Sequence, residues 1–267
     1  MTSPFAPLFM RHALVAVLLI GPMYALLGTM VVSRGMTFFS ESLGHGALCG
    51  VAIGALLGFS DSTAALVVFG LLYALLLFFM QQRGRLSTDA LIGVLSSVTV
   101  ALGVMLLSRG GSFAKFSSIL VGDLLSVAPK DLWSLGFAFA ATLLYWCFAY
   151  NNLVLVSVSA PLAHSRSVNV RRVHLMFMLL LAAVVMLSIR YVGTLIVNAM
   201  LILPAAASRN ITGGMRSYQL VSVGLSLVCG VGGLLLSFYL GTAAGATIVL
   251  LLGAAFFLTY LLRRARA

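Results

Sequence analysis

Charge is what this chain has least of. Only 8% of its 267 residues are charged, and Asp plus Glu number 5. Soluble domains carry about 25% charged residues, so a water-exposed surface cannot be built from this composition. An ordinary globular enzyme, a disordered tail and a coiled coil are all excluded. Lysine is limited to Lys115 and Lys130, and neither follows a glycine, so no G-x-x-x-x-G-K-[ST] phosphate loop exists. The sequence also lacks H-E-x-x-H and G-x-S-x-G. The three cysteines, Cys49, Cys147 and Cys229, lie far apart inside apolar runs. That spacing gives no disulfide framework and no structural zinc site; each reads as a small buried hydrophobe. The net charge of +11 comes from arginines set between apolar runs, without the aromatic-and-basic patches of a nucleic-acid binder.

What is present is apolar: 62% of the residues, with a mean hydropathy of +1.15. A bilayer core takes about 20 apolar residues per helix. Nine runs are candidates: Ala13–Val32, Ser42–Phe59, Thr63–Met80, Ala90–Ser108, Leu132–Tyr150, Leu175–Ile189, Val192–Ala207, Gln219–Leu240 and Ala246–Leu262. The two short runs are divided only by Arg190–Tyr191 and read as two spans or one broken helix. The fold class expected is therefore an all-α, polytopic membrane helix bundle of eight to nine transmembrane helices. Residues 1–267 form a single membrane domain. The first run is too long for a cleaved signal and reads as a retained helix.

If all nine runs span, one side collects Arg34, Arg83, Arg85, Arg166, Arg171, Arg172, Arg209, Arg216, Arg263, Arg264 and Arg266. The other holds Arg11, Arg109, Lys115, Lys130 and Arg190. Basic loops stay cytoplasmic, so the first set marks the cytoplasm and the N-terminus lies outside; if one run is re-entrant, the N-terminus changes side while the later loops stay. Outside the runs the longest polar stretches are Arg109–Ser118 and Ser157–His174. The second holds Pro161, suited to a first helical turn, and predicts a short basic helix at the cytoplasmic face; an ordinary positive-inside loop is the plainer alternative.

Polar groups inside the membrane are costly and mark function. Glu41 and His45, four apart near the start of the second run, share a helix face. A carboxylate with an imidazole suits a divalent transition metal; an interfacial pair that merely stabilises the fold is the alternative. Cys49 continues the stripe one turn on. Gly46, Gly50, Gly54 and Gly58 repeat every four residues and predict close helix packing beside that face, setting Glu41 and His45 deep in a tight interface. Asn198 lies mid-run, six residues before Pro204; it either lines a path or bonds a neighbouring helix, the second being favoured. Pro204 is expected to free an upstream carbonyl. His12, His164 and His174 show no ligand spacing.

These blocks resemble a known family. The segment around Glu41 and His45 is similar to the "G-D-x-L-S-H-x-x-L-P-G" segment of the membrane permeases of bacterial zinc- and manganese-import ABC transporters. Further blocks agree in order: Ala101-Leu102-Gly103-Val104, Gly122-Asp123-Leu124-Leu125, and Leu162-Ala163-His164-Ser165 with Val168-Asn169. Then come Val192-Gly193-Thr194-Leu195-Ile196-Val197, Leu201-Ile202-Leu203-Pro204-Ala205-Ala206 and Gly245-Ala246. There are departures: Glu41 stands for Asp, Gly44 for Ser, Cys49 for Pro and Ser167 for Gly.

The resemblance implies a permease, not an enzyme, working as two copies. Two cytoplasmic ATPase subunits would power it and an extracytoplasmic metal-binding protein would supply it, in the bacterial plasma (inner) membrane, with lipid around it and no nucleic acid. It implies that Glu41 and His45 contact the metal transiently, with Cys49 and Asn198 as further path-lining candidates. It implies that the segment about 161–172, through Leu162, Ala163, His164, Ser165 and Val168, couples to the ATPase. No cofactor is expected to be bound permanently. Zinc is the first expectation for the transported substrate, because the Leu162–Asn169 block is closer to zinc permeases, with manganese or iron second. An intramembrane metal-dependent enzyme and a passive channel are the remaining alternatives; the enzyme lacks a nearby third strong ligand, and the channel has no use for a coupling segment.

Overall fold

The computed structural model describes residues 7–57, 62–83, 86–109 and 124–264. Ten α-helices and one 3-10 turn carry these residues, without a strand among them. In chain order they are α1 Leu8–Ser33, α2 Thr37–Leu56, α3 Ser62–Arg83, α4 Thr88–Arg109, a 3-10 turn Leu124–Ser126, α5 Pro129–Val158, α6 Ala160–Ser165, α7 Val170–Val192, α8 Thr194–Arg209, α9 Met215–Leu240 and α10 Ala244–Arg264. Helices dominate because a chain in lipid has to satisfy its backbone groups within itself.

Each of the nine apolar runs becomes one helix. Among the described residues seven are long and apolar enough to cross a membrane: α1, α3, α4, α5, α7, α9 and α10. The other two occupy the centre. α8 is apolar but short. α2 is diluted by Thr37, Ser40, Glu41, Ser42 and His45, and most of it is buried by its neighbours instead of facing lipid. The break between the sixth and seventh runs is at Gly193, not at Arg190–Tyr191. Arg190 and Tyr191 belong to the last turn of α7, and α7 begins at Val170, so part of the polar 157–174 stretch is helix. Gly193 has φ 84 and ψ 162, a conformation open to glycine alone, and it ends α7 and starts α8 in one residue.

α1 runs through the middle, packed on α5, α8 and α9. Ser226 and Ser222 on α9 donate their hydroxyls to the Gly21 and Ala25 carbonyls of α1 at 3.0 and 3.4 Å. Such interhelical bonds contribute about 0.6 kcal/mol each in a bilayer. Gly28 is where α1 touches α8 backbone to backbone: a Cβ there would overlap the Leu201 carbonyl.

Contacts between helix ends follow the alternation expected from the basic residues. Arg209 donates to the Val32 carbonyl at 3.3 Å and His174 meets Gln81 at 3.4 Å, each joining ends assigned to the cytoplasm. Arg190 donates to Thr63, joining ends assigned to the outside. Arg34, just past α1, lies over the Phe177 ring at 5.2 Å, and its three guanidinium nitrogens are buried without a hydrogen-bond partner among the described residues. Burial pushes this guanidinium below its ordinary pKa.

Candidate functional site

α2 and α4 are the most extensively packed pair. They run parallel, since contacts advance together along both: a Cβ on Gly46 would meet Thr99 at 3.7 Å, and one on Gly103 would meet the Cys49 nitrogen at 2.8 Å. The second approach is backbone against backbone, which accounts for a glycine at 103. The glycine stripe of α2 faces α3 instead. A Cβ at Gly50 would meet Phe69 at 3.2 Å, and one at Gly54 would meet Ala65 at 2.8 Å. Gly58, the last of the stripe, lies outside the described residues, as do Gly122 and Asp123 of the second resemblance block and Lys115.

Glu41 and His45 do not sit in the tight part of these interfaces. The stripe takes the α3 side, and both side chains are exposed on the other. They form a wall shared by two cavities. One, of about 320 Å³, lies between the N-terminal halves of α2 and α4 and is lined by Phe38, Glu41, Ser42, His45, Asp89, Ile92, Gly93 and Ser96. The other, of about 600 Å³, is lined by Glu41 and His45 with Thr194, Leu195, Asn198, Ala199, Ile202 and Leu203 of α8 and Val249 of α10. The structure thus brings Glu41, His45 and Asn198 to one space. Asn198 packs on Gly44, where a Cβ would be 3.3 Å from its Nδ2, and its Oδ1 is buried without a partner among the described residues. The favoured expectation, a bond to a neighbouring helix, is not what that oxygen makes; Asn198 lines the cavity.

Cys49 is 2% exposed, its backbone lies against Gly103, and it lines neither cavity. Asp89, in the first turn of α4, was not reached by sequence reasoning, because 48 residues separate it from Glu41. Carboxylate scarcity was the available signal. Among the described residues no group of three His, Cys, Asp or Glu side chains forms a ready-made metal cluster.

On the other arm, Ser159 caps α6 by accepting from the Leu162 nitrogen at 3.5 Å. Pro161 falls in the first turn, as expected. Leu162 is 56% exposed, and His164 and Ser165 are exposed beside it. Ala163 is fully buried. It faces the chain's own interior and presents no surface to another subunit, which corrects its placement among groups that insert into an ATPase. Val168 is half-buried, and its nitrogen donates to the Ala163 carbonyl at 3.0 Å. A cavity of about 520 Å³ follows, lined by His164, Ser167, Val168, Asn169, Val170 and Arg171.

The model of the ABC 3 transport family matches residues 7–263. The chain belongs to the ABC 3 transport family. It is 33% identical over 250 residues to the manganese import system permease protein ScaB of Streptococcus parasanguinis, covering 94% of this chain and 89% of that one. It is 31% identical over 225 residues to the high-affinity zinc uptake system membrane protein ZnuB of Haemophilus influenzae, covering 84% and 86%. Among solved structures, PsaBC from Streptococcus pneumoniae in complex with Fab superposes with a TM-score of 0.83 at 29% identity, over 96% of this chain and 92% of that one. The resemblance read from the sequence blocks holds over nearly the whole length. The chain is a membrane permease subunit of the ABC metal-importer type, a multi-pass protein of the bacterial inner membrane. It is not an enzyme, and ATP hydrolysis belongs to a separate subunit.

Proposed function

We propose that this permease carries a divalent transition metal, manganese ahead of zinc, past Glu41 and His45. The observation that supports this most is the donor set facing the two cavities. It is rich in carboxylate oxygen, with Glu41 and Asp89, and contributes one imidazole, His45. Carboxylate, carbonyl and water ligands suit manganese, whereas thiolate favours zinc. The thiol nearest this pair, Cys49, is buried and lines neither cavity. Relatives named for each metal share the family, and the donors are what favours manganese in this reading. The absence of a three-residue cluster among the described residues suits cargo held in passing and released.

The working assembly in this reading is two copies of the chain, two cytoplasmic ATPase subunits docked on the 159–169 segment and an extracytoplasmic metal-binding protein, in a lipid bilayer. Uptake of radioactive manganese and zinc by cells dependent on this system is the direct test. Glu41→Gln and His45→Ala should each abolish uptake at normal membrane abundance, and excess manganese should compete better than equal zinc. Wild-type uptake by both variants would remove the pair from the path; stronger competition by zinc would reverse the order of metals.

A further inference from the structure

We propose that Asp89 is a third metal-handling residue, the carboxylate that receives the ion from Glu41 and His45 along the groove between α2 and α4. The inference rests on the reading above and adds a residue and a direction to it.

Carboxylates are scarce in this chain. Asp and Glu number 5 in the chain, and three lie among the described residues: Glu41, Asp89 and Asp131. Asp131 is already employed, its Oδ2 accepting from the Ala128 nitrogen at 3.0 Å to close the start of α5. The other two line a single cavity, with His45 and Ser96. A chain this poor in carboxylates has placed both of its uncommitted ones, among the described residues, on one space of about 320 Å³.

The ordinary use for an acidic residue in a first helical turn is already filled. Capping at the start of α4 is done by Ser87, whose Oγ accepts from the Ala90 nitrogen at 3.3 Å. Asp89 is exposed and has no hydrogen-bond or ion-pair partner among the described residues. Beside it, Gly93 lines the same cavity, and a Cβ there would meet nothing within 4 Å. The groove is therefore open at the level where the carboxylate stands.

The donors also fall in an order along the two helices. α2 and α4 run parallel from adjacent N-terminal ends. Asp89 is the second residue of α4, while Glu41 and His45 are the fifth and ninth of α2. His45 and Glu41 are about one turn apart, and the pairing of Gly46 with Thr99 and of Cys49 with Gly103 sets Asp89 beyond Glu41 toward those ends, so the three succeed one another in that order. They do not form one closed site, which fits a hand-over better than joint chelation. The basic-residue count assigns these ends to the cytoplasm, so Asp89 stands on the release side. An ion leaving two strong donors needs a successor ligand before water can reclaim it, and a carboxylate suits it.

The test uses the assembled transporter, permease with its ATPase subunits in liposomes, and radioactive manganese. Asp89→Asn should lower ATP-driven uptake about tenfold or more, while manganese retained by the complex without ATP stays at the wild-type level. Asp89→Glu should restore most of the uptake. Asp131→Asn, which removes an equally scarce carboxylate from a helix cap, should leave uptake near wild type. Full uptake by Asp89→Asn, with none by Glu41→Gln, would overturn the role of Asp89 and leave the Glu41–His45 reading standing. Full uptake by Glu41→Gln would sink that reading itself. Failure of Asp89→Asn to co-purify with the ATPase would also count against the proposal, because an exposed pathway residue is not required for assembly.

Discussion

Ser167 sits at φ 58, the one non-glycine residue with positive φ among those described. Left-handed backbone favours glycine and costs other residues on the order of 1 kcal/mol. That is the physical reason a glycine suits this position, which the sequence comparison noted only as a departure. Ser167→Gly should keep or raise the melting temperature of the purified protein. Ser167→Val, β-branched, should lower stability by about 1–2 kcal/mol; a melt in which valine matches serine would show that the turn relaxes freely. Other single residues divide by what their burial obeys. Glu41 and His45 were legible because a helical spacing of four fixes a shared face. Cys49 has the same spacing again, yet it is buried where α4 packs closely on α2 and lines neither cavity. Asn198 and Asp89 depend on which helices meet, and no local pattern reports that.

At the scale of elements, nine apolar runs became nine helices, because a bilayer enforces length and hydropathy together. The exceptions lie where function dilutes the pattern. α2 is polar at one end and glycine-rich along the other face, so it reads poorly as a lipid-facing span and well as a central one. The α7–α8 boundary was misplaced for a local reason: Arg190–Tyr191 interrupts the apolar run, but only Gly193 has the backbone freedom to end a helix and start another. The direction of the glycine stripe was also hidden. It meets Phe69 and Leu66 of α3, with a Cβ at Gly50 reaching Leu66 at 3.3 Å. Gly50→Leu therefore has no space, and overpacking of this kind costs about 1–3 kcal/mol. The expected result is a lower yield and melting temperature, with the order of manganese and zinc in uptake competition unchanged in whatever protein survives. Normal melting would mean that α2 and α3 separate more easily than these contacts indicate, and an altered preference would mean that the stripe shapes the metal site directly.

For the whole molecule, the question is how energy arrives, since the chain has no phosphate loop of its own. The exposed side of the 159–169 segment is the surface we propose for the ATPase. Its footing in the fold is good: Ser159 caps α6, the Val168 nitrogen bonds back to the Ala163 carbonyl, and Asn169 caps α7 by accepting from the Arg172 nitrogen at 3.0 Å. A push on α6 is therefore delivered to the ends of both α5 and α7, and α7 leads through Gly193 into α8, which carries Asn198. Substituting Ala163 cannot test this, because that side chain is fully buried and arginine there would break the segment itself. Leu162 is the suitable position, being 56% exposed at the tip. Leu162→Asp places a charge on an apolar contact and should reduce recovery of the ATPase with the tagged permease about tenfold. Its own melting temperature should stay within the range of surface substitutions, about 0.5 kcal/mol. Uptake should fall in step with recovery, because a permease without its ATPase has no source of work. Equal recovery and equal uptake in Leu162→Asp would move the docking surface elsewhere on the cytoplasmic face, leaving α6 as a capped turn between two long helices.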